Sequence, residues 1–420
     1  MSWGVVGQSF VNFLAKYKII LANFSYLSII QIFNLALPLI TYPFLIRTLG
    51  HEVYGKVVFS QAIIGYFVIF VNFGFNISAT KEISINRSNP RIVNRIVSSV
   101  YQIKGVLLLI SFVLLGAYLL FFGKDGDRSL YLLTMWMCVY EFLFPVWYFQ
   151  GIEKMKHISI LTILSRLIFL VLIYLLIASP SDYLLVPIIN GVGALVSCLF
   201  AIRILIKNGV RFKVQSLASL NYYVKLSYVM AISVGINSFK TNFNIVVVKY
   251  FFSYSAVAYY DLALKVVNIG ITFLDMISQA IYPKMSKSKD SRFLRNIALV
   301  SVGFACVMTI VCQIFSSWIV TILGGAQMQN ATLLLRVLAF IFPIYIVGAL
   351  YGRNCLIVHG YNGEVLKSMF FSGLIYIFLI IVMRYAFPTI DTMFVAVAYI
   401  GSFLFESLYR YIRCQNLKLI

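Results

Sequence analysis

Twelve runs of mostly apolar residues, each close to the roughly 20 that carry a helix across a bilayer, divide the chain. In the first half they are 27–46, 57–76, 98–121, 130–150, 159–178 and 183–206. In the second half they are 224–248, 256–281, 297–323, 331–355, 365–387 and 392–411. Short polar stretches separate them. The pattern predicts an all-α polytopic membrane protein of about twelve transmembrane helices, six in each half. Residues 1–20 read as an amphipathic helix on the inner surface. Lys16 and Lys18 follow the first apolar stretch rather than precede it, unlike the cations of a cleavable leader.

Polar positions inside these runs are not scattered. The eighth run carries Asp261, Lys265, Asn268, Thr272, Asp275 and Gln279, spaced by three or four residues and so on one helical face. The seventh repeats this with Ser233, Asn237, Lys240 and Asn244. The first has Gln31, Asn34, Pro38 and Thr41, and the second Gln61, Gly65, Asn72 and Asn76. Such stripes serve either helix–helix packing or a water-filled cavity. The four charges on the seventh and eighth runs favour the cavity, because charge at the bilayer centre costs roughly 2.5–3.5 kcal/mol on insertion scales. Lys240, Lys265 and Arg47 are the candidate cavity cations. Glu141 and Arg166, on neighbouring helices, read as a buried structural pair, and Arg336 with Glu406 admits the same reading. Pro38, Pro145 and Pro343 lie mid-run, where they kink a helix.

Charge orients the array. With the N-terminus inside, cytoplasmic segments hold 23 of the 34 Lys and Arg residues and external loops hold six. The opposite orientation inverts that ratio, so both termini are expected in the cytoplasm. Each half places its longest basic cytoplasmic loop after its second helix. Residues 1–215 thus form one six-helix lobe with a leading interfacial segment, and 216–420 a second, around a central cavity.

Composition narrows the function classes. Hydrophobic residues make up 61% of the 420 and charged residues 11%, with mean hydropathy +0.93, against about 25% charged in soluble proteins. The formal charge of +21 belongs to membrane topology rather than to nucleic-acid binding. The six cysteines form no C-x-x-C pair, and the three histidines lie apart in loops, so neither metal nor cofactor is indicated. No Walker motif, Gly-rich phosphate loop or G-x-S-x-G occurs. The external loops are too short for the catalytic loop of a membrane glycosyltransferase or polymerase. An enzyme is not expected.

The order of several short motifs resembles a known family. Pro38, then Tyr42-Pro43-Phe44-Leu45-Ile46-Arg47-Thr48-Leu49-Gly50 and Tyr54-Gly55, is similar to the first-helix segment of Wzx-type O-antigen flippases, in the polysaccharide transporter branch of the MOP superfamily. Ala258-Tyr259-Tyr260 with Lys265, then Ala280-Ile281-Tyr282-Pro283-Lys284-Met285-Ser286, resembles the eighth-helix segment. Leu334-Leu335-Arg336 followed by Pro343 and Gly360 resembles the tenth. The resemblance implies a multi-pass protein of the bacterial inner membrane. It implies that undecaprenyl-diphosphate-linked O-antigen or related repeat units move from the cytoplasmic to the periplasmic leaflet by alternating access, coupled to a cation. Partners would be the lipid-linked oligosaccharide, membrane lipid and other polysaccharide-assembly proteins. A diphosphate needs its hydration replaced by charge-assisted hydrogen bonds, which Lys240 and Lys265 can supply. The rival reading is a multidrug or small-cation exporter of the same superfamily, whose cavity would favour carboxylates.

Overall fold

The computed structural model describes residues 3–122, 127–386 and 391–420, with side chains from 33 on, those of 34, 35, 122, 237 and 241 excepted. The interfacial character expected of 1–20 and the side chains of Gln31, Asn34 and Asn237 lie outside the described residues. Among those residues there is no strand. The helices are α1 (Trp3–Asn72), α2 (Phe75–Asn86), α3 (Pro90–Phe122), α4 (Arg128–Thr134), α5 (Trp136–Leu143), α6 (Val146–Gly151), α7 (Met155–Leu176) and α8 (Leu185–Lys207). They continue as α9 (Leu217–Phe251), α10 (Tyr254–Ser288), α11 (Ser291–Gly324), α12 (Ala331–Leu338), α13 (Ile341–Ala349), α14 (Asn362–Ala386) and α15 (Thr392–Asn416). A π-helical segment, Leu350–Ile357, prolongs α13.

The breaks have local causes. Gly50 takes φ 77°, ψ 162° inside α1, a conformation that interrupts the helix and that L side chains rarely adopt. The first two predicted spans therefore meet within one continuous stretch. Pro145 splits the fourth span: the residue before a proline is pushed to extended backbone, and Phe144 sits at φ −87°, ψ 107°. Pro343 cannot donate to the carbonyl four residues back, at Ala339. The Phe342 amide, at 3.1 Å, and the Thr309 hydroxyl, at 3.2 Å, donate to that carbonyl instead, in the gap between α12 and α13.

Ten stretches of the described residues are long and apolar enough to cross a membrane. The first, Ala36–Asn86, spans 51 residues and takes in part of the first predicted span and all of the second. The seventh predicted span falls in α9, whose 35 residues are ample in length but interleave polar side chains, and which is not among the ten. At 1.5 Å per residue, helices of 33–35 residues such as α3, α10 and α11 exceed the roughly 30 Å hydrocarbon layer. Outward residues are bulky and apolar: on α11 Leu299, Val300, Val307, Ile310, Ile314 and Trp318 are all exposed. Only a lipid solvent tolerates that surface. The chain is a multi-pass membrane protein.

Two compact units emerge. One comprises Met1–Thr41, Ile64–Ala178 and Leu184–Val234; the other comprises Tyr42–Ile63, Ser179–Tyr183 and Gly235–Ile420. The first is cored by Phe75, Ile83, Ile96, Trp147 and Phe149, all fully buried. In the second, Tyr260, Leu335, Phe342 and Tyr376 are fully buried.

Candidate functional site

In the second unit the polar face of α10 is used at two levels. Near its start, Tyr54 donates to Asp261 Oδ2 at 2.9 Å and accepts from Lys265 Nζ at 2.6 Å. Lys265 also pairs with Asp261 at 2.5 Å, one turn away. Its ammonium lies 3.5 Å from the centre of the Tyr42 ring, a cation–π contact. Gly55 makes this possible. A Cβ there would fall 1.9 Å from the Tyr254 carbonyl, so only glycine lets α1 approach the start of α10 this closely. Lys265 keeps 24% of its side chain exposed.

Further along, Asp275 accepts from Arg353 at 2.8 and 3.4 Å, from Tyr345 at 3.2 Å and from Gln279 at 2.7 Å. Lys240, 5% exposed, donates to Glu406 at 2.7 Å and to Ser372 at 2.9 Å. Arg410 meets Glu406 from the other side at 2.5 Å. Asp275, Tyr345, Arg353, Lys240, Glu406 and Arg410 line one cavity of about 300 Å³, with the exposed Asn268 also in its wall. Gly348 and Gly352 make the room. A Cβ on Gly348 would meet Ser407 Oγ at 2.5 Å, and one on Gly352 would meet an Arg410 terminal nitrogen at 3.0 Å.

The other expected residues have distinct places. Lys265 does not line the cavity that holds Lys240. Asn244 is fully buried, its carbonyl oxygen taken by the hydroxyls of Tyr376 and, at 3.4 Å, Tyr260. Gln61 is half-buried. Arg47 donates to the Ile322 carbonyl at 2.7 Å, answering an orphan acceptor in the last turn of α11.

Two expected pairings are corrected. Glu141 does not pair with Arg166, which is exposed on α7. Its cation is Lys104, fully buried, at 2.8 Å, and Asn72 donates to the same carboxylate oxygen at 2.8 Å. A carboxylate inside a bundle takes the cation that shares its burial. Glu406 likewise takes Lys240 and Arg410, while Arg336 donates to Ser316 at 2.7 Å. Arg353 and Arg410, at the ends of the predicted spans 331–355 and 392–411, lie inside helical segments that run on to Ile357 and Asn416. The i,i+4 spacing of Glu406 and Arg410 was the signal available for the second.

Charged networks kept inside lipid-facing helices, with a cavity among them, define a multi-pass membrane protein with an internal polar site. Its fold is that of the MOP superfamily. A structure titled as the inward-facing conformation of a multidrug resistance MATE family transporter is similar over 94% of this chain and 99% of that one, with TM-score 0.71 and 13% identity. The lipid II flippase MurJ, inward closed, is similar over 92% of this chain and 87% of that one, with TM-score 0.74 and 14% identity. The family model described as "Polysaccharide biosynthesis protein" matches residues 20–289, and the chain belongs to that family. Two relatives carry the name "Putative O-antigen transporter". That of Escherichia coli K12 is 27% identical over 85% of this chain and 88% of its own length. That of Shigella dysenteriae is 25% identical over 65% and 69%.

Proposed function

We propose that this protein is a flippase of the bacterial inner membrane. It carries lipid-linked O-antigen or related polysaccharide repeat units from the cytoplasmic to the periplasmic leaflet by alternating access, driven by a cation. In this reading about twelve helices cross the membrane with both termini inside, and 1–215 and 216–420 act as its two lobes. The names of the E. coli and Shigella relatives and the family description support the cargo class.

The observation that carries the reading is the cation supply of the second unit. Lys265 stands partly exposed on the polar face of α10, backed by two tyrosines. Lys240, Arg353 and Arg410 outnumber the two carboxylates of the neighbouring cavity. An anionic headgroup finds charge-assisted donors there, whereas a cationic drug meets a surplus of like charge. Lys265 and Lys240 are the residues offered to the substrate diphosphate, with Arg47 committed to the end of α11.

The test is complementation of a strain lacking this gene, read as surface polysaccharide. Lys265→Ala and Lys240→Ala should sharply reduce it at near-normal membrane abundance. Full complementation by both variants at native expression would contradict the diphosphate assignment.

A further inference from the structure

A second hollow, of about 540 Å³, lies on the outer face of the second unit. α11 lines it with Arg295, Leu299 and Val302, α13 with Pro343, and α15 with Leu404 and Leu408. The three leucines are 45–69% exposed, so the hollow opens on the surface that lipid covers. Chain direction gives it two ends. α11 enters where the π-helical segment and α15 leave, which brings Arg295 level with Tyr351 and Tyr411 and sets Val302 deeper, near Pro343 and Leu404. From Pro343 to Tyr351 is about 12 Å at 1.5 Å per residue. That is most of the roughly 15 Å of hydrocarbon in one leaflet. The rings of Tyr351 and Tyr411 meet edge to face, 5.0 Å between centres, as amphipathic aromatics do at headgroup level.

Two polar groups in the wall are already committed. Ser407 donates to the Ile344 carbonyl at 2.7 Å, and the Tyr411 hydroxyl accepts from Gln415 at 2.9 Å. Arg295 is not committed: it is exposed and forms no ion pair or hydrogen bond among the described residues. Its surroundings are basic. Residues 284–295 hold Lys284, Lys287, Lys289, Arg292 and Arg295 against one acid, Asp290. That carboxylate is taken up by the Arg292 and Phe293 amides at the start of α11, at 2.9 and 3.0 Å. Arg292, Arg295, Leu299 and Val302 follow at steps of three and four, so one face of α11 begins in charge and continues as apolar wall. Clusters of about four to eight cations at the cytoplasmic end of a membrane helix attract anionic headgroups.

We propose that this hollow holds an acyl chain of an anionic phospholipid of the cytoplasmic leaflet, of the phosphatidylglycerol type, with its headgroup on Arg295 and Arg292. Such an amphiphile matches both ends, a negative head at the cations and a hydrocarbon tail along the leucines. A zwitterionic headgroup brings its own ammonium into the surplus of positive charge. A saccharide has no tail and meets a wall with few hydrogen-bonding groups. The assignment rests on the membrane orientation proposed above and not on the cargo. Ser407 also lines the polar cavity of this unit, so the bound lipid braces a wall that the two share.

The full chain, in a neutral maltoside detergent, is titrated with phosphatidylglycerol while its thermal unfolding midpoint is followed. A ligand that binds the folded chain raises that midpoint. Phosphatidylcholine of the same chain length and a prenyl phosphate are titrated separately. Wild type should show a saturable rise that phosphatidylglycerol gives most strongly. Arg295→Gln loses a charged hydrogen bond, and Val302→Phe fills the hollow without touching a charge. Each should need about tenfold more phosphatidylglycerol for the same rise. Leu408→Ala shortens the wall without adding bulk and should need several-fold more. Lys207→Gln alters an exposed cation of the first unit and should leave the response unchanged. No rise with phosphatidylglycerol, an equal one with phosphatidylcholine, or a larger one with prenyl phosphate overturns the assignment. So does a wild-type response in Arg295→Gln or in both Val302→Phe and Leu408→Ala, or an equal weakening in Lys207→Gln. If the lipid response is absent while surface polysaccharide still depends on Lys265, the lipid site falls and the flippase reading stands.

Discussion

The two units bury charge in opposite ways. In the first, Lys104 is wholly enclosed and meets Glu141 through its carboxylate and its backbone carbonyl, at 2.8 and 2.6 Å. Asn72 completes the carboxylate and accepts from the Gly74 amide at 3.1 Å, where α1 gives way to α2. This cluster is neutral and spans three segments of one unit. In the second unit a carboxylate is shared by two cations, and the group opens on a cavity. A balanced, enclosed pair holds helices together; a carboxylate shared by two cations beside a void leaves one of them without an anion of its own.

That contrast predicts a graded response to losing a lysine. Lys104→Met strands Glu141 in the bundle, and breaking a buried pair costs about 3–5 kcal/mol. Folded yield from membranes should collapse, and Lys104→Met with Glu141→Leu should recover most of it. Lys240→Met leaves Glu406 with Arg410, so its cost should be about 1–2 kcal/mol, the worth of a charged hydrogen bond. Equal losses in the two single variants, measured by detergent-solubilised thermal stability, would erase the distinction. Tyr54→Phe removes one donor from Asp261 while Lys265 remains, and should cost about 0.5–1.5 kcal/mol. Arg166→Ala should change stability by under about 0.5 kcal/mol, because its exposed side chain is not the partner of Glu141.

Much of this was legible in the sequence. Bilayer-length apolar runs foreshadowed the helices, and the three- and four-residue spacing on α10 foreshadowed the Asp261–Lys265 pair and the placement of Asn268 and Asp275. What periodicity cannot supply is which helix lies opposite. Glu141 had two candidate cations at similar depth, Lys104 and Arg166, and only packing chooses between them. Arg353 and Arg410 stand at the ends of the predicted spans 331–355 and 392–411 and count there with the cytoplasmic charge, whereas the helical segments run on to Ile357 and Asn416 and bring both side chains to the cavity wall. Tyr54 entered only as part of a motif, and nothing in its spacing announced the hydrogen bond to Asp261.

The central claim is transport of a lipid-linked saccharide through a cation on α10. Its most direct test is reconstitution of the purified chain into liposomes carrying a labelled undecaprenyl-diphosphate-linked oligosaccharide, with translocation read as exposure of the sugar to an impermeant glycosidase. Wild type should expose the label on both leaflets in the presence of an ion gradient, and Lys265→Ala at equal incorporation should leave it on the side of origin. Equal translocation by Lys265→Ala, or none by wild type under any gradient, would contradict the account.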